Sequence, residues 1–283
     1  MEQLDKCDIV VDVGGKYDST KYFDHHQRGF SEVFGHGYTT KLSSAGLIFK
    51  HFGDQIISNS LGIPTQDPVV SLLYQNLYGE YIEGIDANDN GINAFDSTVP
   101  AQPKFKQSMS LPSMVSHLNP AWNDEEHASD EERDKKFLLA MELMGSHFED
   151  RLQYLYKAWL PARTVIESAL KEPLFGGKVV VLKTFAPWKD HLFALEDELK
   201  IQGRTLYVLY PDTTGQYRIQ AVPVSEDSFE SRRGLPESWR GLRDDILSTE
   251  CGIDGCVFIH ASGFIGGNKT KEGAIEMARK AVE

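Results

Sequence analysis

The sequence has few cysteines and no hydrophobic run long enough to cross a bilayer. Its three cysteines in 283 residues, Cys7, Cys251 and Cys256, are too few for a disulfide framework, which indicates a reducing, intracellular compartment. The longest apolar runs, at 69–74 and 179–182, fall far short of the roughly 20 residues that a membrane-spanning helix needs. The first five residues also lack the basic flank and apolar stretch of a signal peptide. We therefore expect a protein that neither spans a membrane nor is secreted.

Basic residues are also scarce. The chain has 29 Lys and Arg against 42 Asp and Glu, which gives a formal net charge of −13. Such a charge repels a polyanion at long range and argues against a protein that coats nucleic acid generally. Any contact with nucleic acid must therefore be local, through bound cations and a few clustered basic side chains. The hydrophobic content of 41% can supply the core of one large domain or two ordinary ones.

The first half of the chain predicts a domain of alternating strands and helices. Asp8–Gly15 resembles a short buried strand with Asp12 near its carboxyl end, which is the end where open α/β sheets bind ligands. The patterns that follow predict helices over 39–53 and 67–85, a turn from Asp86 to Gly91, a long surface loop over 100–135, and a helix over 131–171 with a break before Pro161.

A second unit is predicted to begin near Pro173. Its patterns predict strands over 178–184, 205–210, 217–224 and 255–260, helices over 189–200 and 238–248, a glycine-rich turn over 263–267, and a last helix from Lys271. We therefore expect an α/β protein with a parallel-sheet domain over 1–172 and a smaller mixed α/β domain over 173–283.

Asp12 and the run of Asp24, His25 and His26 are candidate ligands for a divalent metal. Carboxylates and imidazoles together suit manganese, magnesium or zinc. A bridging carboxylate such as Asp12 could hold two metals about 3.5–4 Å apart, an arrangement used in phosphoryl displacement. From these residues alone, one buried hydrogen-bonded histidine and one exposed histidine is an equally good interpretation.

Several blocks in the same order resemble the melanocyte proliferating gene 1 family, a branch of the DHH phosphoesterases that includes RecJ-type nucleases. The matching blocks are Asp8–Gly15, 24–28, 40–53, 85–92, 187–192 and 260–267. The resemblance implies a DHH-type parallel-sheet domain followed by a mixed α/β DHH-associated domain. It also implies a metal-dependent 3′–5′ exonuclease that acts on RNA or short oligonucleotides, with Mn²⁺ or Mg²⁺ as cofactor and no DNA-specific signal, in the nucleus, mitochondrion or cytoplasm.

The resemblance also implies roles for individual residues. Asp12 and His25 match metal ligands, and a further aspartate ligand falls at either Asp86 or Asp89. Asp24 and His26 would orient ligands or contact the scissile phosphate. The remaining candidates would contact the substrate or shape the site: Arg28, for which a surface salt bridge is an equal alternative, Ser43, Ser44, His260, Gly266 and Gly267.

The sequence departs from the family pattern ahead of Asp8, where relatives carry a first motif of histidine and aspartate ligands. We therefore expect a truncated or alternative product of a longer gene, or completion of the site by another chain or a homo-oligomer. Three functions stay open. The first is the RNA exonuclease, and the second is a phosphohydrolase of a pyrophosphate or cyclic dinucleotide, which the acidic net charge favours modestly. The third is a non-catalytic protein that binds RNA or a partner.

Overall fold

The computed structural model describes residues 4–94, 110–123 and 129–283. The chain divides into two compact units, Met1–Tyr156 and Lys157–Glu283. Strands and helices occur in both units, which confirms the predicted α/β class. Among the described residues, no helix has the length and apolar character needed to cross a membrane.

Two short strand pairs open the first unit. Strand β1 (Val10–Val11) pairs in parallel with β2 (Tyr22–Phe23), and β3 (Val33–Gly35) pairs antiparallel with β4 (Tyr38–Lys41). The predicted strand over Asp8–Gly15 thus contributes only two residues to the ladder. It ends at Asp12 because this residue has a left-handed φ of 63°, which extended strands do not allow.

Helix α1 spans Ser44–Leu61, with Ser43 as its N-cap and Gly62 as its C-cap. The predicted helix over 39–53 was therefore wrong at both ends, since residues 39–41 belong to β4 and the helix continues past Gly53. A Cβ at Gly53 would lie 2.6 Å from the ring of Tyr74. This glycine permits close packing against the next helix and does not end its own.

Helix α2 (Pro68–Leu77) continues through a π-helical turn, Tyr78–Ile82, into α3 (Glu83–Asp89). The prediction of a turn from Asp86 was wrong, because the chain stays helical as far as Asp89. The two aspartates of this segment therefore lie three residues apart on one helix, where they share a face.

The structure describes only part of the surface loop that we predicted over 100–135. It contains a short helix, α4 (Leu111–Ser116), and helix α5 begins inside it, at Asp130, and runs to Tyr154. Residues 95–109 and the acidic run at 124–126 lie outside the described residues. A π-helical turn at Leu155–Trp159 precedes α6 (Leu160–Leu170), at the position of the predicted break before Pro161.

A five-stranded mixed sheet forms the centre of the second unit. Its strands are β5 (Val179–Val181), β6 (Tyr207–Pro211), β7 (Tyr217–Ala221), β8 (Cys256–Ile259) and β9 (Ile265–Asn268), in the spatial order β5-β6-β7-β9-β8. Only β5 and β6 are parallel. The helices of this unit after α6 are α7 (Lys189–Leu199), α8 (Asp244–Cys251) and α9 (Lys271–Val282).

Apolar side chains cover both faces of this sheet. Leu209 and Ile219 pack with Met277 of α9 on one face, and Val180 and Val208 pack with α6 and α7 on the other. Helix α6 packs on the face of the sheet that carries Val180 and Val208 and so belongs to the second unit. The division between the units therefore falls after Tyr156, earlier than the boundary that we predicted after residue 172.

Two local predictions in this unit were wrong. The glycine-rich segment predicted as a turn contains strand β9, and neither Gly266 nor Gly267 has the positive φ that a tight turn would require. The predicted helix over 238–248 is instead a 3-10 turn, Glu237–Trp239, followed by the shorter α8.

Candidate metal centre

Asp12, His25 and His26 lie together at one edge of the first unit. One potential ligand atom from each lies within 4.8 Å of the others. His25 Nε2 is 3.7 Å and His26 Nδ1 is 3.9 Å from Asp12 Oδ1. The three residues meet because Asp12 directly follows β1 and the histidines follow its parallel neighbour β2. Both segments therefore leave the strand pair at the same end.

His25 is buried, and neither nitrogen of its imidazole has an aligned hydrogen bond to any residue that the structure describes. Asp89 Oδ2 lies 3.2 Å from Nε2, but this approach lacks hydrogen-bond geometry. Burying a polar group without a partner is costly, so native structures rarely leave one in this state. A cation between the imidazole and the carboxylates would supply the missing partner, and the donor set therefore fits a divalent metal.

The backbone at Asp12 is held in a conformation that non-glycine residues seldom adopt. Its φ of 63° carries a cost on the order of 1–3 kcal/mol, and such strain is concentrated at functional sites. The side chain is 61% exposed, yet it is not loose, because the Ser44 hydroxyl donates a hydrogen bond of 2.9 Å to Oδ1. Ser44 at the start of α1 thus fixes the direction of this carboxylate.

Asp24 is buried and organises the loop that carries the histidines. Its carboxylate accepts from the backbone N–H of His26 at 3.0 Å, from the N–H of Gly15 at 2.7 Å, and from His26 Nδ1 at 2.7 Å. Burial alone would raise the pKa of Asp24, but these hydrogen bonds outweigh it and the pKa is lowered. An ionised carboxylate can only accept, so His26 donates from Nδ1 to Asp24, and Nε2 is the ring nitrogen left for another partner.

Asp86 and Asp89 have different environments. Asp86 is fully buried, and its carboxylate accepts from Ser43 N, Ser43 Oγ and Gly46 N at the start of α1 and from the hydroxyl of Tyr78, over distances of 2.7–3.1 Å. Burial raises the pKa of Asp86 although each of these bonds opposes the shift. The carboxylate beside His25 is that of Asp89, which is 49% exposed. Ser43 has a structural role, because both its backbone N–H and its hydroxyl donate to Asp86.

Arg28 follows the histidines and has an exposed side chain. It forms no ion pair with any residue that the structure describes, so the salt bridge that the sequence left open is not observed there. A guanidinium without a carboxylate partner is available for a phosphate.

In the second unit, the predicted glycines have packing roles. A Cβ at Gly266 would lie 2.2 Å from the side chain of Ile259, and one at Gly267 would lie 2.7 Å from Nη1 of Arg218. His260 is exposed, and its Nδ1 lies 2.9 Å from the Ser262 hydroxyl. Gly267 therefore makes room for an arginine from the neighbouring strand.

Sequence reasoning missed Arg218. Its Nη2 pairs with Asp212 Oδ2 at 2.6 Å, and its guanidinium lies 5.2 Å from the ring centroid of Phe258. Its Nη1 is buried and has no hydrogen-bond partner within residues 4–94, 110–123 and 129–283. The available signal was a charged residue inside the alternating pattern of 217–224. Its guanidinium is therefore held by an acid and an aromatic ring of its own unit, and its remaining donor is not exposed to solvent.

Comparison with known proteins agrees with the resemblance predicted from the sequence. The family MYG1_exonuc, described as "Uncharacterised protein family (UPF0160)", matches residues 1–282. An MYG1 protein of Schizosaccharomyces pombe is 48% identical over 283 residues, which cover 99% of this chain and 85% of that protein. The MYG1 protein of Dictyostelium discoideum is 47% identical (99% and 84% covered), and the MYG1 exonuclease of Homo sapiens is 44% identical (98% and 75%). No solved structure matches the chain significantly. The predicted resemblance is confirmed, and the chain belongs to the MYG1 family.

Proposed function

We propose that this chain is a metal-dependent phosphodiesterase of the DHH type, and specifically a 3′–5′ exonuclease that acts on RNA. The observation that supports this most strongly is the group of Asp12, His25 and His26, in which the buried imidazole of His25 has no hydrogen-bond partner among the described residues. The name "MYG1 exonuclease" of several relatives supports the reaction class. The parallel pairing of β1 and β2, with candidate ligands directly after both strands, supports the DHH-type arrangement.

Asp12 and His25 would hold the metal, with His26 as a further ligand or a phosphate contact. Asp89 lies beside His25 but outside the group of Asp12, His25 and His26, and is an additional candidate ligand. Two imidazoles beside carboxylates favour Mn²⁺ over Mg²⁺, which prefers an all-oxygen shell. Such a cation, when bound, stabilises the negative charge that develops on a phosphodiester during attack by water. Asp86 has no role as ligand in this proposal, because its four acceptor contacts are already made.

Several protein side chains would prepare the reaction. Asp24 holds Nδ1 of His26, so that Nε2 of this ring can take up a proton or a metal. Ser44 holds Asp12 in its strained conformation. Arg28, exposed beside the histidines, would pair with a phosphate oxygen through two parallel N–H donors.

Recognition through a bound cation and a few basic groups such as Arg28 is compatible with a net charge of −13, which does not provide a long basic track.

A labelled-RNA assay with Mn²⁺ tests the proposal. We expect nucleotides to be released from the 3′ end, and Asp12→Asn to lower kcat by at least about 100-fold because a carboxylate that would hold the metal loses its charge. The matched control is Asp54→Asn, which removes an exposed carboxylate of the same unit and should leave the rate unchanged. An Asp12→Asn enzyme with the full rate would remove the basis of the proposal.

A phosphohydrolase of short substrates is the second candidate, because the acidic chain needs no extended polyanion track for them. The same assay on cyclic and linear dinucleotides separates the two, since turnover of dinucleotides without turnover of RNA would establish the second candidate. Binding of RNA without turnover of either substrate would indicate the non-catalytic function. The predicted nuclear, mitochondrial or cytoplasmic location stays a prediction.

A further inference from the structure

The second unit contains a groove of about 610 Å³ at the open edge of its sheet. It lies between α6 and α9 and beside β5, which pairs with β6 on one side only. Its floor is apolar and is formed by Val165, Ala169, Leu174, Val181 and Ile275. This volume lies within the range of about 300–1,000 Å³ that is typical of sites for small organic ligands.

The edge of β5 offers backbone hydrogen-bonding groups to this groove. Lys178 O accepts from Leu206 N at 2.7 Å and Leu182 N donates to Leu209 O at 2.8 Å, so the even-numbered residues of this strand bond to β6. Alternate residues of a strand direct their N–H and C=O groups to opposite sides, so those of Val181 point away from β6. Leu174 pairs with this edge at Val179, where Leu174 N donates to Val179 O at 2.8 Å and Val179 N donates to Leu174 O at 3.3 Å. Val181 therefore presents an adjacent donor and acceptor.

The rim of the groove is basic. Lys171, Lys183 and Lys271 line it together with a single acid, Glu172. None of the three lysines forms an ion pair with a residue in the described part of the chain. Three unpaired ammonium groups at one rim are unexpected in a chain of net charge −13, and ammonium groups bind phosphate as point charges.

We propose that this groove binds an adenine nucleotide, with its phosphate on the lysine rim and its base on the apolar floor. Adenine carries an acceptor, N1, beside the donor 6-amino group, which complements the N–H and C=O of Val181. The groove includes no residue of the candidate metal centre, so this binding is additional to the proposed nuclease activity and does not depend on it.

Binding of adenosine 5′-monophosphate to the full-length chain, measured by calorimetry in EDTA, tests the proposal. The chelator prevents binding through a metal from being counted. We expect one saturable site that binds this nucleotide more tightly than it binds adenosine or inorganic phosphate. Lys183→Glu should weaken binding at least about tenfold, because it replaces a charge-assisted hydrogen bond with repulsion.

Two further variants make the result specific. Lys178→Glu is the matched control, because Lys178 is exposed and lies just before β5 but does not line the groove. It makes the same charge change and should alter the affinity less than about twofold. Val165→Trp should abolish binding by filling the floor. The proposal is overturned if no saturable binding occurs, if Lys183→Glu binds like the unmodified chain, or if inorganic phosphate binds as tightly as the nucleotide.

Discussion

Replacing Asp86 and Asp89 separately by alanine should give opposite results. Asp86→Ala removes a fully buried acceptor of four hydrogen bonds and leaves the donors of Ser43, Gly46 and Tyr78 unsatisfied. A hydrogen bond to a charged group contributes about 1.5–3 kcal/mol, and bonds to one acceptor are not additive. We therefore expect a loss of about 3 kcal/mol in the free energy of unfolding.

Asp89→Ala should leave that free energy within about 0.5 kcal/mol of the original value, because the side chain is half exposed and forms no described hydrogen bond. Its affinity for Mn²⁺ should fall by about tenfold or more, since it loses the carboxylate beside His25. Unfolding is measured by urea titration in EDTA, because bound metal would itself stabilise the fold, and Mn²⁺ affinity is measured by calorimetry. A folded Asp86→Ala protein that no longer binds Mn²⁺, beside an Asp89→Ala protein that binds it normally, would refute the assignment of the two aspartates.

Three other predictions test the packing and the titration of the two units. The pKa of Asp24 is lower in the folded state than its unfolded value near 3.8, so its carboxylate stabilises the fold above that pH and loses this contribution as the pH falls through the folded pKa. Asp24→Asn should therefore make the free energy of unfolding depend less steeply on pH in the acid range. Glu196→Ala, which removes the buried partner of an arginine in the second unit, should cost about 3–5 kcal/mol in urea unfolding. Glu198→Ala, which breaks a more exposed ion pair on the same helix, should cost at most about 1 kcal/mol. A thiol reagent at pH 8 should modify the exposed Cys7 in the native protein and spare Cys256, whose pKa burial raises to about 12; modification of both at equal rates would contradict the buried position.

The sequence pattern accounts for the closeness of Asp12 to His25 and His26 in the structure. Asp12 and the two histidines each directly follow a short β-favouring stretch, and two parallel neighbours bring such residues to the same edge. The choice between Asp86 and Asp89 could not be made in the same way. It depends on the π-helical turn before α3, after which the helix continues four residues beyond its predicted end.

Glycine was the residue that sequence patterns interpreted least well. Gly53 and Gly267 were assigned to a helix end and a turn, where a positive φ would be needed. In the structure each has an ordinary φ and makes room for a side chain from a distant part of the sequence, Tyr74 in one case and Arg218 in the other. A close tertiary contact leaves no signal in the local pattern, so both assignments failed for the same physical reason.

The two aspartates of α3 contribute to the candidate metal centre in different ways. Asp86 points inward and fixes the first residues of α1 through Ser43 and Gly46, and this places the next residue, Ser44, within 2.9 Å of Asp12. Asp89 lies almost one helical turn later, and its carboxylate reaches His25 on the opposite side of the group. A single helix therefore controls both carboxylates that face the imidazole, one through a hydrogen-bonded relay and one directly. Asp86 therefore supports the metal centre through the fold of α1, whereas Asp89 is the candidate ligand.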